Sequence, residues 1–262
     1  VEVLIQKGCK VNALSRNEGN LIELKNERHV IDIFPGDVGN DWIVKRAAQE
    51  CSGIFHLAGF KHVSMAEHNA IQCISTNVEG SFNVCDISMD YESIEFVIGI
   101  STDKAAQMTG VYGATKRLME KIFEEFENSD KYTAYRIVRY GNVLYSTGSV
   151  LCKWRKLLQK GRDIEVTNPE STRFYWTVEQ AIDLIFDCLK NGISSAPYVP
   201  EMKSISLNNL AIGMLTKYGN GKSKIMLNEL KSGENLHEKI LEDGPYSNEV
   251  VQYTKDEVMK MI

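Results

Sequence analysis

Residues 94–116 read IEFVIGISTDKAAQMTGVYGATK. Ile94–Ile100 is a nearly continuous apolar run, the pattern of a strand buried on both faces of a sheet. Tyr112–Glu127 then places Leu118, Ile122, Phe123 and Phe126 at helical spacing, which predicts an amphipathic helix. A buried strand followed by such a helix is half of a βαβ unit. The polar run Ser101-Thr102-Asp103-Lys104 falls where that strand ends.

The alternation extends in both directions. Upstream, Lys10–Leu14, Val30–Phe34 and Gly53–Ala58 predict strands, and Asp41–Gln49 and Asn69–Ser88 predict helices. Val1–Lys7 reads as the tail of a helix stopped by Gly8. Downstream, Thr133–Val138 predicts a strand, and Thr177 with Gln180 predicts a capping box opening a helix that ends near Asn191-Gly192. Strands separated by helices imply an α/β fold with a doubly wound parallel, Rossmann-like sheet. From Asn142 the alternation weakens, which predicts a smaller, irregular C-terminal lobe. The expected division is residues 1–142 with about 174–200 in the sheet domain, and about 143–173 with 201–262 in the lobe.

Composition removes several classes. The 262 residues carry 30 basic and 35 acidic side chains, net −5, which leaves no basic domain for a nucleic-acid backbone. No run approaches the ~18–20 apolar residues of a membrane span, and the first ten residues lack the features of a secretory leader. The six cysteines are scattered without a CxxC pair, as expected of reduced thiols in the cytoplasm. Neither HExxH nor HxxxH occurs, so no metal site is expected.

In a doubly wound sheet, ligands bind beyond the carboxyl ends of the strands. Four places qualify: Ser15-Arg16, Asp37-Val38, Ala58-Gly59 and Ser101–Lys104. Tyr112 and Lys116, four apart, share one helix face, and an ammonium beside the phenol is expected to lower its pKa and make it a usable base. Asp103 and Lys104 could serve as acid and base on neighbouring substrate atoms; a solvated ion pair is the alternative. Arg16, with no acid at its strand end, favours NADP over NAD, with NAD as the alternative. Asp37-Val38 would meet the adenine, and Ala58-Gly59 would admit the pyrophosphate closely.

With these residues in place, the chain resembles the nucleotide-sugar dehydratases among the extended short-chain dehydrogenase/reductases. Ser101–Ala105, Tyr112–Lys116, Arg139-Tyr-Gly-Asn-Val143 with Gly148-Ser-Val150, Thr172-Arg-Phe174 and Gly233–Glu238 occur in the family's order. The nearest type is the inverting UDP-N-acetylglucosamine 4,6-dehydratase. The resemblance implies that Tyr112 and Lys116 act in oxidation at sugar C4, and that Thr102 binds near C4. It further implies that Lys104 is the base at C5 and Asp103 the acid toward the C6 hydroxyl. Asn142, Ser149, Val150 and Arg173 would face the UDP-sugar, with Lys61, Glu67 and Glu234 as weaker candidates. A homo-oligomer is also implied. Two rivals remain: a UDP-sugar 4-epimerase, which needs no proton transfer at C5, and a catalytically silent dinucleotide-binding regulator.

The chain departs from the family at Gln107-Met-Thr-Gly110, where Asn-Pro-x-Asn is usual, and at Lys231-Ser232, where Arg-Pro is usual. The tail between Glu242 and Tyr246 looks abbreviated. Neither GxGxxG nor GxxGxxG occurs. The family's first strand and Gly-rich turn are expected to lie upstream of Val1.

Overall fold

The computed structural model describes residues 1–27, 31–230 and 234–262. Its first half contains α1 (Glu2–Gln6), β1 (Val11–Ser15), α2 (Glu18–Glu27), β2 (Ile31–Pro35), α3 (Asp41–Ala48) and β3 (Gly53–His56). Next come α4 (Val63–His68), α5 (Ala70–Ile74), a π-helical turn (Ser75–Glu79), α6 (Gly80–Met89) and β4 (Phe96–Thr102). The half closes with α7 (Lys104–Gln107), α8 (Val111–Ser129) and β5 (Ala134–Tyr140). Each expected strand is present with ends shifted by one or two residues; Val30 lies outside the described residues.

Two expectations change. The single helix over Asn69–Ser88 is in fact α5, the π-helical turn and α6, preceded by the separate α4. The helix α2 was not foreseen, because only Leu21 on it is buried and its apolar periodicity is weak.

All sheet pairings in this half are parallel, in two blocks: β1 with β2, and β3-β4-β5 extended by β9 (Pro197–Tyr198). Along β4 and β5 successive side chains face opposite ways, as a pleat requires. Val97 and Ile137 pack with Met119 and Phe123 of α8 and Val84 of α6. Ile98 and Val138 pack with Leu184, Ile185 and Cys188 of the helix Val178–Asn191. Helices on both faces make the fold doubly wound, as expected.

The second half comprises β6 (Asn142–Val143), α9 (Val150–Gln159), β7 (Ile164–Val166), β8 (Thr172–Trp176), α10 (Val178–Asn191), β10 (Ser204–Ser206), α11 (Leu207–Tyr218), β11 (Ile225–Leu227) and α12 (Lys255–Met261). The capping box predicted at Thr177 and Gln180 opens α10. The strands of this half are short, two to five residues. Leu151, Trp154, Leu158, Ile164, Ile205, Leu210, Met214 and Val258 nevertheless form a core of their own.

Candidate active site

The site grows from the end of β4 and the start of α8. On α8 the inward stripe carries Tyr112, Lys116 and Glu120, one helical turn apart and all buried. What brings this stripe against the end of β4 is Gly113: a Cβ there would lie 2.4 Å from the Lys104 carbonyl oxygen. Only glycine permits that approach of α8 to α7.

At the tip of β4 the polar groups interlock. Thr102 Oγ1 donates to Asp103 Oδ1 (2.7 Å), and Lys104 Nζ donates to both Asp103 oxygens (3.1 Å each). Asp103 is fully buried. A second carboxylate, Glu238, lies 3.4 Å from Lys104 Nζ. Burial works against the Lys104 charge, but Asp103 and Glu238 outweigh it and hold the ammonium well above the usual lysine range. The pair is therefore no solvated surface bridge.

Lys116 does not lower the Tyr112 pKa as expected. Burial pushes the phenol up to about 12, with a Thr102 hydrogen bond and Lys104 pulling the other way. Lys116 Nζ instead donates to the Ile100 carbonyl (2.8 Å), and burial draws its pKa down to about 8. Desolvation of the phenol exceeds any help from a lysine bonded elsewhere.

Behind this pair a polar layer locks the backbone. Asn77, in the π-helical turn, exchanges hydrogen bonds with both the N–H and the carbonyl of Phe60 and donates to Thr115. The π turn thus fixes the Ala58-Gly59-Phe60 loop. His56 Nε2 meets Ser81 Oγ at 2.9 Å. Burial, and secondarily Lys116, lowers the His56 pKa to about 3. Unfolding restores a value near 6.5, so the unfolded chain binds more protons between these limits. Stability is expected to fall as pH drops from 6.5 toward 3, by up to about 1.4 kcal/mol per pH unit from this group. Urea titrations of His56→Gln against the parent chain should show that slope reduced.

The expected cofactor residues lie at the strand ends. Arg16 follows β1 and pairs with Asp37 at 3.4 Å, both partly exposed. An acid therefore does face the Arg16 guanidinium, supplied by the neighbouring strand, where the sequence alone showed none. The Asp37 carboxylate also accepts from Gly39 N (2.9 Å). The Val38 side chain is buried in the core against α6 rather than turned outward. Ala58 and Gly59 are half-buried, and a Cβ on Gly59 would lie 3.3 Å from Lys116 Nζ.

The remaining candidates spread wider. Asn142 donates to the Phe174 carbonyl (3.3 Å), and Ser149 caps α9, whose first residue is Val150. Arg173 is turned inward: it donates to the carbonyls of Thr172, Leu236 and Asn235 and approaches Glu238 at 3.6 Å. Those donors are committed to the fold, so the expected grip on diphosphate is not what this structure presents. Lys61 is exposed, and Glu67 accepts from Val111 N (2.8 Å) at the start of α8. Glu234 is exposed; Lys231, Ser232 and Gly233 lie outside the described residues.

Three buried charges were not expected as site residues: Glu120, Arg139 and Glu238. Glu120 accepts from Ser101 Oγ and from Arg139 Nε (2.9 Å) and Nη2 (2.6 Å). Glu120 stands four residues after Lys116 on the inward face, a spacing visible in the sequence. Glu238 closes the Gly233–Glu238 motif, but nothing local linked it to Lys104, 134 residues away by number.

Among the described residues no group of three or more His, Cys, Asp or Glu could hold a metal, and no helix is long and apolar enough to cross a membrane. Residues 2–260 match the family described as polysaccharide biosynthesis protein. A Methanocaldococcus jannaschii protein described as an uncharacterized membrane protein is 33% identical, over 92% of this chain and 76% of its own. The inverting UDP-N-acetylglucosamine 4,6-dehydratase of Campylobacter jejuni is 31% identical, over 88% of this chain and 69% of its own. A UDP-glucose 4-epimerase of Rickettsia akari is 29% identical over 86% and 66%. The crystal structure of Pen from Bacillus thuringiensis superposes with a TM-score of 0.92 at 27% identity, covering 99% of this chain and 90% of that one. The chain is similar to sugar-nucleotide dehydratases and belongs to the polysaccharide biosynthesis protein family.

Proposed function

We propose that the protein is an NADP-dependent 4,6-dehydratase of UDP-N-acetylglucosamine, yielding a 4-keto-6-deoxy sugar nucleotide with inversion at C5. The observation that carries this reading is the contact between Tyr112, Thr102, Asp103 and Lys104 at one strand end. An epimerase needs proton transfer only at the C4 hydroxyl, for which Tyr112 suffices. A buried acid in contact with a lysine supplies the further pair that elimination across C5 and C6 requires.

The residues present suit a dinucleotide. Gly59 leaves open the space beside Lys116 Nζ that a Cβ would fill, and Arg16 and Asp37 stand at the ends of adjacent strands. Lys116 and Gly59 would hold the nicotinamide end, and Arg16, Asp37 and the Val38 backbone the adenosine end. Bound nicotinamide would supply a reversible hydride acceptor, which lets a redox cofactor serve a net loss of water.

The protein's own steps concern protons. Tyr112 would take the C4 hydroxyl proton as its phenolate, a form that Thr102 and Lys104 favour against the burial that otherwise keeps the phenol protonated. Transfer of one proton from Lys104 Nζ to the Asp103 carboxylate, across 3.1 Å, converts the ion pair into an amine and a carboxylic acid. Lys104 then takes the C5 proton while Asp103 protonates the departing C6 hydroxyl, releasing water. The pair returns to ammonium and carboxylate, which balances the elimination; the hydride accepted from C4 would be returned to C6, and one proton delivered to C5, equal to the one lost from the C4 hydroxyl, would complete the product. The substrate would lie between the dinucleotide-binding part (1–142, about 174–200) and the lobe (about 143–173, 201–262), beside Asn142, Ser149 and Val150.

Incubation with UDP-N-acetylglucosamine and NADP, followed by NMR of the product, tests the reading. A 4-keto-6-deoxy product is expected. Recovery of UDP-N-acetylgalactosamine alone would establish the epimerase, and no product together with no retained cofactor the silent regulator.

A further inference from the structure

Glu238 sits on the segment after β11, far in sequence from the catalytic strand, yet its carboxylate is buried beside Lys104. Burying a third charge beside an existing ion pair is costly unless its position is enforced. Here it is enforced from several sides. Arg173 clamps the carbonyls of Asn235 and Leu236, and Thr172 N also donates to Leu236 O (3.2 Å). Glu238 N donates to Ser247 Oγ (2.9 Å), Ser247 N donates to Glu238 O (2.8 Å), and Ser247 Oγ meets Thr172 Oγ1 at 2.6 Å. Arg139 holds Ile240 O at 2.8 Å. The side chain itself is steered by Asn235 Nδ2 (3.3 Å) and Arg173 Nε (3.6 Å).

We propose that Glu238 is a positioning residue that fixes Lys104 against Asp103 and stabilises the ammonium form that Lys104 reaches when it takes a proton. This deepens the dehydratase reading and rests on it for its catalytic consequence. Because Lys104 rests as the ammonium and must first yield a proton to Asp103, the catalytic benefit of the fixed carboxylate is the direction in which it holds Nζ rather than added basicity. The groups facing Lys104 are Asp103, Glu238, Arg173, Tyr112 and Tyr175. Of the two carboxylates among them, Asp103 is committed to the chemistry, which leaves Glu238 to set the charge.

The test uses the full chain and has two readouts. The first is the pH dependence of Lys104 acetylation by acetic anhydride, read by peptide mass spectrometry. In Glu238→Gln its midpoint is expected to move down by about one pH unit or more. The second is turnover of UDP-N-acetylglucosamine. The variant should lose about 10–100-fold in kcat with KM within about twofold, and the alkaline limb of its kcat profile should move the same way. A larger isotope effect with C5-deuterated substrate should accompany that loss.

An unmoved acetylation midpoint overturns the proposal. So does a fall in kcat with the alkaline limb and isotope effect unchanged, which a merely structural role would give. If Glu238→Gln does not fold, Glu238→Asp carries the test: its midpoint should shift by less in the same direction, and a parental midpoint overturns the proposal. Failure of the parent enzyme to dehydrate the sugar nucleotide would strike the functional reading alone, because acetylation still reports whether Glu238 holds the Lys104 charge.

Discussion

Replacement of Arg139 by methionine is expected to destabilise the protein by about 3–5 kcal/mol, the usual cost of leaving one member of a buried ion pair without its partner. Arg139 is completely buried on β5, in register with Ser101 of β4. Two of its nitrogens meet the two oxygens of Glu120, a bidentate geometry that a lysine could not reproduce. The guanidinium also reaches Ile240 O and the carboxylate of Glu242, so it ties the catalytic strand to the C-terminal segment carrying Glu238. Without it, Glu120 keeps Ser101 and Arg117 as its hydrogen-bond partners among the described residues. Thermal unfolding should show a Tm lower by about 10 °C. The double replacement Glu120→Leu with Arg139→Met should recover a large part of that loss, since an apolar pair strands no charge. A single variant within about 2 °C of the parent would show the pair to be energetically idle.

Replacement of Lys104 by methionine is expected to lower dehydration by about 10²–10⁴-fold, the range seen when a positioned general base is removed. The geometry makes the loss specific. Lys104 is the cation between Asp103 and Glu238, and it is the proton source for Asp103 in the proposed cycle. Its removal takes away the base at C5 and leaves Asp103 without the proton it must deliver. Tyr112 loses the Lys104 charge that favours its phenolate but stays in place, so oxidation at C4 should persist at a reduced rate, and absorbance of reduced nicotinamide should build up on adding substrate while no 4-keto-6-deoxy product forms. Parental rates of product formation in Lys104→Met would remove Lys104 from the mechanism.

The fold was legible where side-chain periodicity reflects burial directly. Apart from Glu95, Ile94–Ile100 is apolar because β4 is covered on both faces, and α8 carries its apolar stripe because one face meets the sheet. Where burial is slight, as in α2 with one buried residue, the side chains carry no periodic pattern that marks a helix. The long helix expected over Asn69–Ser88 failed differently. Periodicity cannot register a π-helical turn, and this one places Asn77 against Phe60 for reasons that lie in another loop.

The candidate site divides along the same line. Sequence alone determined the α/β alternation, the capping box of α10, and the placement of Thr102, Asp103, Lys104, Tyr112 and Lys116 on one strand end and the helix that follows it, because those relations span fewer than twenty residues. Only the tertiary structure decided how Lys104, Tyr112 and Lys116 ionise. It buried Tyr112 and raised its pKa, gave Lys116 to the Ile100 carbonyl, turned Arg173 inward, and brought Glu238 and Arg139 to the catalytic strand. A pKa depends on desolvation and on charges within a few ångströms, and those neighbours are assembled by folding from segments that no local pattern connects.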